Sequence, residues 1–319
     1  MLCIPLRGPT MFTTFSTSSR APSAFLAATL LGGSAALALP PYSDWSTPRS
    51  AEALPGSSPS LNTASVDGCV SLSRDGRTIY FNSNRSGNQD IYRATRDNVE
   101  TGFGNSERLA DTVNTAADEF CPTITVNNRL YFSRASSADP GDLLVTRERQ
   151  GGDWDEPANL GAAINSPLMD EAADFFEDAA GNKVMVFSRR NGNGTGGKLY
   201  QSVNGAQAVQ MNGGVASPAS DNRPNISRDG LTIYFDSTRP GGLGGVDLYV
   251  ATRAGTDEDF GAATALTALN SAAFDARPSL SWDGSELFFS SGRPGSESLA
   301  PDIWRTARER TTGPKVVKF

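Results

Sequence analysis

The 319-residue sequence contains no histidine. That absence removes Ser-His-Asp and Cys-His catalysis and the zinc sites built on imidazole, so any chemistry must rest on carboxylates, Arg, Lys, Tyr or a hydroxyl. Lysine is scarce too, supplying four of the 28 basic residues. The net charge of −7 opposes a phosphate backbone, and nucleic acid is not an expected partner. Cysteine occurs three times, and only Cys69 and Cys121 lie beyond the first residues. Against these shortages stand 32 glycines and 19 prolines, spread along the chain. Such spacing suits many short strands joined by turns better than helices.

Residues 1–38 read as a signal peptide. Arg7 and Arg20 form the basic flank, "AFLAATLLGGSAALA" is the apolar core, and Ala36-Leu37-Ala38 fits a small-x-small cleavage site. The run is short and broken by glycine for a membrane span. Met11 is an alternative start with a more usual n-region. A periplasmic or secreted protein is expected, with no membrane span in the mature chain. Its mature charge is about −9, from 26 basic and 35 acidic residues. Cys3 leaves with the signal, so one disulfide is the most the mature chain can form by itself.

An acidic residue recurs at Asp67, Glu119, Asp170, Asp221 and Asp275, at spacings of 52, 51, 51 and 54. Five residues before it stands Asn62, Asn114, Asn165 or Asn270, replaced by Ala216 in the fourth unit. The units run near 62–113, 114–164, 165–215, 216–269 and 270–310, followed by a tail at 311–319. Each carries four strand candidates. The first ends near a turn such as Asp75-Gly76, Asp229-Gly230 or Asp283-Gly284. "TIYF" or "ELFF" is the second, "DIYRATR", "DLYVATR" or "DIWRTAR" the third, and "FGNSERL", "WDEPANL" or "FGAATAL" the fourth. Four antiparallel strands in about 50 residues make a propeller blade, and radial packing buries the faces that one sheet leaves open. The fifth unit lacks its fourth strand. "WSTPRSAEAL", Trp45 to Leu54, has the matching pattern and is expected to close the ring, with Trp45 paired to the segment near Asp302–Arg308. The expected fold is therefore an all-β, five-bladed propeller.

The pattern P-x-x-S-x-D-G-x-x-[IL]-[YF]-F-x-S-x-R…D-[IL]-[YW] resembles the WD-like propeller repeat of TolB-type periplasmic proteins over about residues 45–308. The resemblance implies a periplasmic binding platform. The N-terminal α/β domain of TolB has no counterpart here, so its Tol-Pal role is not carried over. Units two and three depart from the pattern at "LYFSRASS" and "VFSRRNGNG", and Lys198 replaces the aspartate that starts the third strand.

"GNGTGGK" (Gly192–Lys198) matches phosphate-loop patterns. Leu199 stands where Ser or Thr is needed and a strand follows in place of a helix, so it reads as a hairpin loop. Arg85, Arg239 and Arg293 precede Asp90, Asp247 and Asp302, and each pair is expected to pin its own hairpin. "DWDE" (Asp153–Glu156) and "DEDF" (Asp257–Phe260) read as solvated turns before calcium sites, and neither a metal nor a cofactor is expected.

The repeated acids are expected near the channel mouth, where like charges raise each other's pKa or recruit a cation or Arg. The plainer alternative is that they cap strand turns. Arg223 and Arg277 follow two residues after Asp221 and Asp275, on the same side of the strand if alternation holds. Cys69 and Cys121 occupy that position in the first two units, Ala172 in the third. The two thiols are either bonded across neighbouring blades or packed as small apolar side chains.

Two functions compete. The expectation is a monomeric cell-envelope module that binds a protein or glycan without chemistry. Its site would comprise Asp67, Glu119, Asp170, Asp221, Arg223, Asp275 and Arg277, with Arg190 and Lys198 of the divergent loop. The alternative is a glycoside hydrolase working with channel carboxylates, as five-bladed propellers of the arabinanase type do.

Overall fold

The structure is a computed structural model that describes residues 42–297 and 300–311. The signal segment and nearly all of the 311–319 tail lie outside the described residues. β1 (Arg49–Ser50) comes first in the chain. Blade 1 holds β2 (Asp67–Leu72), β3 (Thr78–Ser83), β4 (Asp90–Thr95) and β5 (Glu107–Arg108). Blade 2 holds β6 (Asp118–Ile124), β7 (Arg129–Ser136), β8 (Asp139–Arg147) and β9 (Ala158–Asn159). Blade 3 holds β10 (Met169–Glu177), β11 (Lys183–Arg190), β12 (Lys198–Val203) and β13 (Val209–Gln210). Blade 4 holds β14 (Asp221–Ile226), β15 (Thr232–Ser237), β16 (Asp247–Thr252) and β17 (Thr264–Ala265). Blade 5 holds β18 (Asp275–Leu280), β19 (Glu286–Ser291) and β20 (Asp302–Ala307), and its outer strand is β1.

The molecule is a five-bladed propeller closed by its N-terminal strand. Arg49 pairs with Arg305 and Ser50 with Trp304. Trp45 itself lies just before the strand and packs on Arg308, whose guanidinium sits 4.2 Å from the ring centroid. The backbone contact nearest to it is Ser46 N–H to Ala307 O, at 2.8 Å. The antiparallel pairing already starts before Trp45, at the Tyr42–Arg310 bridge, and becomes a ladder at Arg49.

The hydrophobic core is divided among the five seams between blades. Ile79, Phe81 and Tyr92 of blade 1 pack with Phe288 and Ile303 of blade 5. Tyr80 and Ile91 pack with Leu130, Phe132 and Trp154 of blade 2. Val184, Val186 and Leu199 of blade 3 meet Ile233, Phe235 and Tyr249 of blade 4. Alternation makes this possible: Ile79 and Phe81 face one neighbour and Tyr80 the other. The repeated asparagines stitch the seams. Asn114 accepts from Ile91 N–H and donates to Ile91 O, and Asn165, Asn270 and Asn62 do the same to Leu143, Leu248 and Ile303. Each amide stands in for a strand edge of the next blade, satisfying backbone groups that burial would otherwise leave unpaired.

Candidate functional site at the axial channel

The innermost strand of every blade carries a bulge. Pairing slips around the residue two places after each repeated acid, between Gly68 and Ser71 in blade 1 and between Ala276 and Ser279 in blade 5. The residue at the bulge has positive φ in all five blades: Cys69 (51°), Cys121 (48°), Ala172 (56°), Arg223 (46°) and Arg277 (59°). A side chain in this region costs energy unless the surroundings hold it. The preceding blade supplies the hold. The bulge N–H of Cys69, Cys121, Arg223 and Arg277 donates to Ser290, Asn82, Ser188 and Asp236, at 3.3, 3.2, 3.1 and 3.0 Å. Gly68 shows how tight this contact is, since a Cβ there would lie 2.0 Å from Ser290 Oγ.

The bulge corrects the expectation that the acids and the residues two places on share one side of the strand. Alternation breaks at the bulge, so the two sets part. Asp67, Glu119, Asp170, Asp221 and Asp275 are fully buried. Each is held by an arginine of its own blade: Arg85, Arg134, Arg189, Arg239 and Arg293, at 2.6 to 2.7 Å. Each also accepts from a hydroxyl four residues earlier, of Thr63, Thr115, Ser166, Ser217 or Ser271. These carboxylates cap strand turns and are occupied by their own arginines.

The expected hairpin pairs are corrected in the same way. Arg85, Arg239 and Arg293 reach Asp67, Asp221 and Asp275, not Asp90, Asp247 and Asp302. Asp90 is taken by Arg108, at 2.7 Å.

The residues that do face the axis are those at the bulge and just after it. Cys69, Cys121, Ala172, Asp174, Arg223, Asn225 and Arg277 line a small cavity of ≈30 Å³, together with Pro122, Pro224 and Pro278. Beside it lies a charged cluster that joins the expected Arg190 and Arg223 to two acids not among the expected residues, Glu171 and Asp236. Glu171 receives two hydrogen bonds from Arg190, at 2.6 and 3.1 Å. Arg223 Nε stands 3.1 Å from Asp236 Oδ2 and 3.9 Å from Glu171 Oε1.

Burial disfavours the Glu171 anion, but Arg223, Arg190 and Arg277 outweigh it and hold the carboxyl below its ordinary range. Burial wins at Asp236, whose pKa is raised against the pull of Arg223. Burial also pushes Asp174 up to about 7. Asp174 accepts from Ile226 N–H and Asn225 Nδ2 of blade 4, at 2.8 and 2.7 Å.

Glu171, Asp174 and Asp236 do not repeat, and that is the signal by which the sequence could have exposed them. The column of Glu171 otherwise holds Gly68, Phe120, Asn222 and Ala276. The column of Asp174 holds Ser71, Thr123, Asn225 and Ser279, and that of Asp236 holds Asn82, Ser133, Ser188 and Ser290.

Lys198 lies off the axis. Its Nζ donates to Ser217 O and Ala219 O, each at 2.6 Å, and ties blade 3 to the loop entering blade 4. A wider notch of ≈480 Å³ lies at the turn after β8, lined by Arg147, Glu148, Arg149 and Asp155.

Cys69 and Cys121 are bonded, with Cα atoms 4.8 Å apart, and join blades 1 and 2 at the channel wall. The disulfide closes a loop with a sequence separation of 52. Replacing both cysteines with serine is expected to lower the melting temperature by about 5–15 °C, from a loss of roughly 2–4 kcal/mol. Calorimetry of the double variant checks it, and an unchanged transition would leave the bond without a stabilising role.

No known family model matches the chain, and no curated protein matches it in sequence. Solved structures do share its fold. A β-xylosidase aligns with a TM-score of 0.53 at 13% identity, over 82% of this chain and 94% of that one. An arabinanase from Bacillus subtilis aligns at 0.52 and 12%, over 78% and 95%. TolB from Agrobacterium tumefaciens aligns at 0.45 and 16%, over 72% and 71%. The shared fold is the five-bladed β-propeller.

This corrects the expectation of a binding module without chemistry. The finding that overturns it is that overlays with TM-scores above 0.5 join the chain to glycoside-cleaving enzymes, the β-xylosidase and the arabinanase. Likeness at these identities establishes the fold alone, and chemistry must be argued from the channel residues.

Proposed function

We propose that the chain is an exported, monomeric glycoside hydrolase whose acid and base are Asp236 and Glu171. The observation that carries the reading is that two neighbouring carboxyl groups have unlike surroundings, Glu171 bound by two nitrogens of Arg190 and Asp236 buried with Arg223 as its ion-pair partner. Glu171 is held ionised by three guanidinium groups, while Asp236 is pushed toward its neutral form by burial. Environments that drive two carboxyl groups apart in pKa assign one to give a proton and the other to take one. Both stand around one nitrogen, at 3.1 and 3.9 Å, so these two oxygens are at most about 7 Å apart, a reach that admits the roughly 5–5.5 Å spacing of retaining glycosidase pairs and only the lower end of the inverting range. The shared fold with an arabinanase and a β-xylosidase supports a glycan as substrate. Export rests on the signal-like residues 1–38, and no helix among the described residues is long and apolar enough to cross a membrane.

In this reading the substrate reaches the pair from the side of the divergent loop. Arg190 covers Glu171, and the segment after it carries Gly192, Gly194, Gly196 and Gly197, where the backbone moves readily. A shift of that loop would free Glu171 for a bound sugar. Release of reducing sugar from arabinan, xylan and aryl glycosides is the measurement. The purified chain is expected to turn over at least one of them. Glu171→Gln and Asp236→Asn are each expected to slow it at least about 100-fold, the usual worth of a general acid or base. Asp236→Asn keeps an oxygen for the Arg277 N–H. A wild-type chain inert on all three substrates, or variants as fast as wild type, would overturn the assignment.

A further inference from the structure

Three guanidinium groups gather at the channel. Arg190, Arg223 and Arg277 stand near Glu171 and Asp236, and Asp174 lines the same cavity as Arg223 and Arg277. Arg190 and Arg223 each have an ion-pair partner among these acids, and Arg277 has none. Its Nε and Nη1 are buried and without a hydrogen-bond partner, and Arg223 Nε also lacks an aligned acceptor. Burial, with Arg223 beside it, drops the Arg277 guanidinium to about 10. A buried cationic donor with no acceptor is costly, and such groups in folded proteins generally have a partner.

We infer that the axial cavity is a binding site for a small monovalent anion, of chloride size, held by Arg277 and Arg223. The space fits. The cavity measures ≈30 Å³ and both arginines line it. That exceeds the roughly 10–15 Å³ that one water needs, and it is far too small for a sugar or a phosphate ester. The rest of the wall mixes Val70, Ala172, Ala173 and three prolines with Thr123, Asn225 and the Cys69–Cys121 disulfide. Asp174 also lines the cavity, but its two oxygens are taken by N–H groups of Phe175, Ile226 and Asn225. A water molecule would supply one acceptor, but an anion accepts from both guanidinium groups through stronger, charge-assisted hydrogen bonds.

The inference does not rest on the hydrolase reading, because it is tested without substrate. Thermal melts of the mature chain are run at fixed ionic strength in sodium chloride, sodium bromide and sodium gluconate. Gluconate is too large for the cavity. Chloride and bromide are expected to raise the melting temperature with the logarithm of their concentration above Kd, by about 5–10 °C at a hundredfold excess, and gluconate to leave it unchanged. Arg277→Met, which removes the orphaned donors, is expected to abolish the halide response. If that variant does not fold, a crystal of the wild-type chain grown in bromide is expected to show an anomalous peak within hydrogen-bond distance of Arg277 and Arg223. Equal melting in the three salts, the same halide response in Arg277→Met, or a bromide map with no peak in the cavity would each overturn the site.

Discussion

Deleting the chain through Leu54, so that the propeller begins at Pro55, is expected to cost about 5 kcal/mol or more and to lower the melting temperature by about 10–20 °C. Three contacts leave with those residues. The outer strand of blade 5 is lost, exposing β20 as an unpaired edge. Ala51, fully buried among Phe288, Ile303 and Phe103, leaves a hole in the seam between blades 5 and 1. The Glu52 carboxylate no longer accepts from Leu61 and Asn62 N–H, at 2.9 and 3.0 Å. Asn62 is the residue that grips Ile303, so the damage spreads to the closing seam. Free strand edges also template pairing with other chains, and the truncated protein is expected to associate as its concentration rises. Scanning calorimetry and light scattering check both effects. A peptide spanning Trp45–Leu54, added in excess, is expected to restore part of the lost stability. A truncated chain that melts like wild type and stays monomeric would mean that the ring does not depend on this closure.

The propeller was legible because its evidence is periodic. Turn dipeptides such as Asp229-Gly230, the "TIYF" runs and the acids at near-constant spacing all report the same repeat. The absent fourth strand of the last unit pointed to closure for the same reason. The channel was harder to read because a single bulge overrides alternation. Counting two residues from Asp221 to Arg223 put both on one side of a strand, whereas the positive φ at Arg223 sends the arginine toward the axis and leaves Asp221 with Arg239. Units two and three looked divergent by spacing, yet Arg134 and Arg189 reach Glu119 and Asp170 as Arg85 reaches Asp67. What is conserved between blades is an ion pair, and a hairpin of different length can still deliver it. The candidate acid and base were missed because attention fell on what repeats. Glu171 and Asp236 each occur once in their columns, and a function that one site performs has no need of five copies.

The outer ends of the blades allow a sharper test of what a buried charge contributes. Three equivalent arginines, Arg96, Arg253 and Arg308, donate through Nε to the turn carbonyls of Gly76, Gly230 and Gly284, each at 2.7 Å. Their other partners differ. Arg96 is fully buried, binds both oxygens of Glu286 in blade 5, at 2.6 and 3.3 Å, and stacks on Phe103. Arg253 stacks on Phe260 and Phe176, donates to Glu258 O at 3.2 Å, and has no ion-pair partner within salt-bridge distance among the described residues. Replacing Arg96 with methionine removes a turn bond and also leaves Glu286 buried with Arg305 alone. Breaking a buried pair from one side costs about 3–5 kcal/mol, because the remaining charge loses its compensation. Arg253→Met loses the turn bond and the stacking but strands no charge, so about 1–2 kcal/mol is expected. Adding Glu286→Gln to Arg96→Met is expected to recover part of the loss, since the stranded charge is then gone. Urea unfolding of the two single variants and the double variant measures all three terms. Equal losses in Arg96→Met and Arg253→Met, with no recovery in the double variant, would show that the seam between blades 5 and 1 is held by packing and not by this ion pair.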